Sequence, residues 1–92
     1  MTAPRGAGVY LLHFERPYQH AQHYLGYSPR IADRLDRHAA GTGARLTQVV
    51  KDAGIGWTLA RVWPGATRQD ERRLKRRGSG RRQCPPCKAG VA

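Results

Sequence analysis

The chain has 92 residues and a mass of 10.3 kDa, which is room for one small domain. Its 17 Lys and Arg against 6 Asp and Glu give a formal net charge of +11, and that points to a polyanionic partner. No stretch approaches the ~18 apolar residues of a membrane span, two cysteines cannot build a disulfide framework, and residues 1–8 lack the apolar core of a secretory signal. A cytoplasmic protein that does not enter membranes is expected.

Residues 1–7 read as a short extension. Residues 8–14, Gly-Val-Tyr-Leu-Leu-His-Phe, are an apolar and aromatic run and predict a strand. Residues 15–21, with Pro17 and polar neighbours, predict a hairpin loop, and residues 22–27 a second strand antiparallel to the first. Ser28-Pro29 then opens a helix, with Ser28 as N-cap and Pro29 at its first position. Ile31, Ala32, Leu35 and Ala39 share one face of that helix, and Arg30, Arg34, Arg37 and His38 gather roughly opposite. Gly41 ends it.

A second helix is predicted over residues 44–53, where Leu46, Val49, Val50 and Ala53 recur at helical spacing before Gly54. Residues 57–63 alternate large side chains (Trp57, Leu59, Arg61, Trp63) with smaller ones, which predicts a third strand stopped by Pro64-Gly65. Trp57 and Trp63 are expected to be core or partly buried. Thr67 can cap a third helix over about residues 68–77, whose apolar stripe is little more than Leu74. The order β-β-α-α-β-α predicts an α+β fold, a three-stranded mixed or antiparallel sheet flanked by helices. From Gly78 a basic, irregular and mobile tail is expected.

The charge is uneven. Residues 68–88 hold nine basic and two acidic side chains. Arg72, Arg73, Lys75, Arg76, Arg77, Arg81 and Arg82 are read as sequence-independent phosphate contacts, or as a solvated charged surface. Cys84-Pro85-Pro86-Cys87 is a lone C-x-x-C. A structural Zn2+ site there needs four ligands, so a histidine or a second chain would have to complete it. His13, His20 and His23 show no ligand spacing in the sequence, and the pair is read as free thiols in preference to zinc. A redox role would need a thioredoxin-like βαβ unit, which the predicted order lacks.

Gly8-Val9-Tyr10 on the first strand and Tyr24-Leu25-Gly26 on the second resemble the paired motifs of the GIY-YIG nuclease superfamily, each with one aliphatic exchange. Arg34 on the first helix stands at the family's catalytic arginine. Glu71, within Gln69-Asp70-Glu71-Arg72-Arg73-Leu74, stands at its metal-binding glutamate. The resemblance spans about residues 8–77. The chain contains no Asn, so the late Asn common in the family has no counterpart.

The resemblance implies metal-dependent hydrolysis of DNA phosphodiesters. Tyr10 would orient or deprotonate the attacking water. As a phenolate it would need a cation close by, because a free tyrosine has a pKa near 10. Arg34 is the natural cation, and its planar fork suits a phosphate. Tyr24 would share the pocket. Glu71 would hold one Mg2+ or Mn2+ together with phosphate oxygens and water, or would simply favour the helix N-terminus. His38 would be a second base or a phosphate donor, or an ordinary polar surface residue. Arg30 and Arg37 would add backbone phosphate contacts. The competing readings are a non-catalytic nucleic-acid-binding module on the same scaffold, and a subunit of a larger DNA repair complex with a partner protein.

Overall fold

A computed structural model describes residues 6–77 and 83–88 of the chain. Its elements are β1 (Gly8–Tyr18), β2 (Ala21–Ser28), α1 (Ile31–Ala40), α2 (Arg45–Asp52), β3 (Trp57–Pro64), α3 (Arg68–Arg76) and a single helical turn, α4 (Pro85–Lys88). The fold is the α+β arrangement expected, and the sheet is wholly antiparallel in the order β2-β1-β3. Among the described residues no helix is long and apolar enough to cross a membrane.

The central place of β1 follows from its composition. A strand covered on both faces reads as a continuous apolar run, and residues 8–14 are all buried. Tyr10, Leu12 and Phe14 point to one face, where they pack with Ile31 and Leu35 of α1, Val50 of α2 and Ile55. Val9 and Leu11 point to the other, where they meet Leu25, Ala60 and Cys84, with Leu74 of α3 and Cys87 at the margin. The sheet is therefore the middle of three layers. Each fully buried Val, Leu, Ile or Phe contributes ~1.5–3 kcal/mol, so β1 is the main source of cohesion for both faces.

Several local expectations change. The two strands of the hairpin run on through residues 15–18 to a two-residue turn at Gln19-His20, with Gln19 at φ 54°. The register is irregular between His13 and Tyr18, and Pro17 sits exposed in that stretch, where its missing N–H costs no regular ladder bond. Ser28 is not the cap expected: it lies two positions before the N-cap, and Pro29 lies just outside the helix. Arg30 is the N-cap of α1, while the Ser28 hydroxyl accepts from the Arg30 N–H at 3.0 Å and donates to the Arg30 carbonyl at 2.9 Å.

The alternation of β3 is broken too. The register with β1 steps from Leu11↔Arg61 to Leu12↔Leu59, leaving Ala60 as a bulge. A bulge shifts which side chains face which way. As a result Trp57, Leu59 and Val62 pack with the α1/α2 layer, and Ala60 and Trp63 with the α3/α4 layer. The two tryptophans are half-buried on opposite faces. In α3, Thr67 and Asp70 form a reciprocal capping box. Gly41 and Gly54 adopt the positive φ expected of helix ends, 83° and 74°.

Candidate functional site

The register that pairs Gly8 with Ser28 also sets Tyr10 opposite Gly26. The Tyr10 ring lies across the Gly26 backbone. A Cβ at Gly26 would stand 2.6 Å from the Tyr10 hydroxyl and 2.8 Å from the Tyr24 ring. Gly8 is confined in the same way, since a Cβ there would stand 2.6 Å from the Trp63 carbonyl oxygen. Both glycines exist to let other groups come close, so the two short motifs are one packing unit.

Tyr10 is fully buried. Its hydroxyl lies 2.5 Å from His38 Nε2, and His38 Nδ1 lies 2.8 Å from the Thr47 hydroxyl oxygen. The Thr47 hydroxyl has one proton, which it donates to the Ala44 carbonyl at 3.0 Å. Thr47 must therefore accept from His38, which fixes the proton of His38 on Nδ1 and leaves the Nε2 lone pair to accept from the Tyr10 hydroxyl. The chain of donors runs from Tyr10 through neutral His38 to Thr47 and the backbone.

The electrostatics agree. Burial, and secondarily the positive charge of Arg34, lower His38 from 6.5 to about 4, so it is uncharged at neutral pH. The Tyr10 phenol is pushed well above its ordinary value, first by burial and next by the neighbouring Tyr24, with Arg34 opposing. Tyr10 is thus a neutral hydrogen-bond donor, and the expectation that Arg34 would favour its phenolate is corrected. Burial outweighs the cation because the ring is sealed from solvent.

His38 also departs from its expected face. It is wholly buried, with Ile31 and Leu35, on the packed side of α1, while Ala39 is exposed. The three fall at i, i+4 and i+7, a stripe that the aliphatic residues alone do not reveal. Arg34 lies at the margin of that stripe and is half-buried.

Tyr24 is half-buried, its ring 6.1 Å from that of Tyr10 and 5.2 Å from that of His38. Glu71 has 17% of its side chain exposed and pairs with Lys75 at 3.5 Å. Its charge, like that of Arg34, acts on the Tyr10 hydroxyl. Tyr10, Tyr24 and His38 thus form one packed cluster on which the charges of Arg34 and Glu71 act, Arg34 from α1 on the same face and Glu71 from α3, which packs on the other face of the sheet. Glu71 supplies one carboxylate, which suits Mg2+ or Mn2+ shared with phosphate oxygens and not a cage built by protein alone.

The cationic candidates lie on two surfaces. Arg30, Arg34 and Arg37 line a small concavity of about 140 Å3 together with Ser28, Pro29 and Asp33. Arg72, Arg73 and Arg76 line another of about 390 Å3 on α3. Lys75 and Arg77 are exposed, and Arg73 is ion-paired with Asp70. Arg81 and Arg82 lie outside the described residues. Gln83, the amide nearest to where a late Asn would fall, accepts from Arg61 at 2.7 Å.

A second constellation lies on the other face of the sheet. His13 and His23 are directly paired across β1 and β2. Cys84 and Cys87 sit over them, and the four ligand atoms all lie within 4.8 Å of one another. These residues are positioned to bind a metal. The expectation that no histidine has ligand spacing, and that Cys84 and Cys87 are an isolated pair, is therefore corrected: the spacing is across strands and not along the chain. The hairpin register that sets Tyr10 opposite Gly26 also sets His13 opposite His23, and only the folded sheet fixes that register. Thr47 likewise had no sequence signal, because only the packing of α2 on α1 brings it to His38.

No family model, curated protein or solved structure matches this chain.

Proposed function

We propose that the protein is a divalent-metal-dependent endonuclease acting on DNA phosphodiesters, with a GIY-YIG-type site. The observation that carries this reading is the set of groups around one buried hydroxyl: Tyr10 bonded to neutral His38, with the Tyr24 ring beside it and the charges of Arg34 and Glu71 acting on it. Hydrolysis of a phosphodiester needs a proton acceptor for water, a cation for the charge developing at phosphorus, and help for the leaving oxygen. Arg34 binds the phosphate through its fork. Glu71 would hold Mg2+ or Mn2+, which supplies Lewis-acid stabilisation of the phosphoryl oxygens.

Tyr24 orients the attacking water. Tyr10, sealed from solvent, keeps its proton directed at His38 Nε2 and backs the Tyr24 ring, and Thr47 holds the imidazole in the tautomer that accepts from it. Arg30, Arg37 and the α3 arginines hold the DNA backbone without reading sequence.

Nicking of supercoiled plasmid with Mg2+ or Mn2+ tests this. The wild type is expected to cleave, and Arg34→Ala and Glu71→Ala to lose at least ~100-fold, the scale of one lost transition-state contact. Equal cleavage by all three proteins would refute the assignment. The second reading, a binding module without catalysis, is favoured by the complete burial of Tyr10. It predicts salt-sensitive DNA binding with no cleavage under any divalent metal.

A further inference from the structure

We propose that His13, His23, Cys84 and Cys87 together bind one Zn2+ ion, which clasps the C-terminal segment to the β1–β2 hairpin. The distances among the ligand atoms carry the identification. Zn–N bonds of ~2.0–2.1 Å and Zn–S bonds of ~2.3 Å at tetrahedral angles require edges of about 3.3 Å for N···N and about 3.6 Å for N···S. The structure has 3.3 Å between His13 Nδ1 and His23 Nε2. It has 3.4 and 3.6 Å from His13 Nδ1 to the Cys84 and Cys87 sulfurs, and 3.3 Å from His23 Nε2 to the Cys87 sulfur. These four distances match edges of a zinc-sized tetrahedron, and the whole set lies within 4.8 Å.

Hydrogen bonding does not account for the cluster. His13 Nδ1 has three close neighbours, and one ring nitrogen has a single lone pair or a single proton to offer. A metal satisfies all of them at once. Charge favours it as well: two thiolates and two neutral imidazoles around Zn2+ sum to zero, so the filled site can be buried without an unpaired charge. Soft sulfur with imidazole in a tetrahedron selects zinc over the hard cations expected at Glu71.

The site is closed, with four protein ligands and no open position, which marks a structural ion. Its ligands come from two paired strands and from the C-x-x-C segment, and His13 and Cys84 are buried while His23 and Cys87 are half-buried at the rim. The ion therefore ties α4 to the sheet face opposite Tyr10 and His38. Its presence is independent of the nuclease activity proposed above.

The test uses the full chain, purified under reducing conditions without chelator. Elemental analysis is expected to find one zinc per chain, and X-ray absorption at the zinc edge a shell of two nitrogens and two sulfurs. Replacement by Co2+ should give the intense visible bands of a tetrahedral thiolate site. Cys87→Ser and His23→Ala at the rim should weaken Co2+ binding by more than ~100-fold, since loss of a mere outer-shell partner costs 10–100-fold, and His20→Ala should bind as the wild type. Substoichiometric zinc, a shell without sulfur, a Cys84–Cys87 disulfide in the purified protein, or wild-type affinity in Cys87→Ser would each overturn the proposal. The wild-type spectra decide the matter even if a variant fails to fold.

Discussion

Gly26→Ala is the sharpest probe of the paired motifs. The added methyl would stand 2.6 Å from the Tyr10 hydroxyl, 2.7 Å from its Cζ and 2.8 Å from the Tyr24 ring, about 1 Å inside the optimum for such contacts. Neither ring can yield freely. Tyr10 is fully buried and bonded to His38, and Tyr24 is wedged against both. Overpacking of this kind costs ~1–3 kcal/mol, and breaking the Tyr10–His38 bond adds ~1 kcal/mol. The total of ~2–4 kcal/mol predicts a fall in Tm of roughly 10–25 °C for a domain of this size. Differential scanning calorimetry reads it directly, and a double-mutant cycle gives the cause. In a Tyr10→Phe background the hydroxyl contact is gone and the ring is released from His38, so Gly26→Ala should cost at least ~0.5 kcal/mol less. A Tm within a few degrees of the wild type, or full additivity in the cycle, would refute the close-approach argument.

Two further outcomes follow from the buried hydrogen-bond chain. Thr47→Val leaves the His38 Nδ1–H without its acceptor in the core, and denaturant unfolding should register a loss of ~1–3 kcal/mol; Thr42→Val, on an exposed loop, should change little. His38 should stay neutral, protonated on Nδ1, until the pH falls to about 4. Because the unfolded chain takes up that proton near 6.5, the stability His38 confers is full above pH 6.5 and is lost as the pH falls towards 4, by ~3 kcal/mol in all. Nitrogen-15 NMR of the imidazole checks this, and a titration midpoint near the ordinary histidine value would contradict it.

The proposed zinc clasp and the proposed hydrolytic site share one strand pair but need different arguments. Tyr10 and His13 lie on opposite faces of β1, so one register serves both. The hairpin places Tyr10 against Gly26 for packing and His13 against His23 for ligation. A change that slipped this register by one residue would exchange the two faces and destroy both sites together. The +11 charge divides similarly. Arg34 acts on the buried Tyr10 and His38, whereas Arg72, Arg73 and Arg76 of α3 are exposed, where the proposed reading makes them phosphate contacts of low specificity.

Local chemistry was enough for much of this protein. The apolar run of residues 8–14 announced a strand, Gly41 and Gly54 announced helix ends, Thr67 announced a capped helix, and the element order announced an α+β layer. These depend on near neighbours in the chain, so the sequence alone carries them. What it could not carry is whatever depends on how elements meet. The bulge at Ala60 turned the two tryptophans to opposite faces. The packing of α2 on α1 carried Thr47 to His38, and burial converted His38 from a surface cation into a neutral acceptor. The cross-strand pairing of His13 with His23, capped by Cys84 and Cys87, joined ligands that lie far apart in the chain. Burial and long-range pairing are properties of the folded chain as a whole, and they decided which of its ionisable groups hold charge and which are positioned to bind a metal.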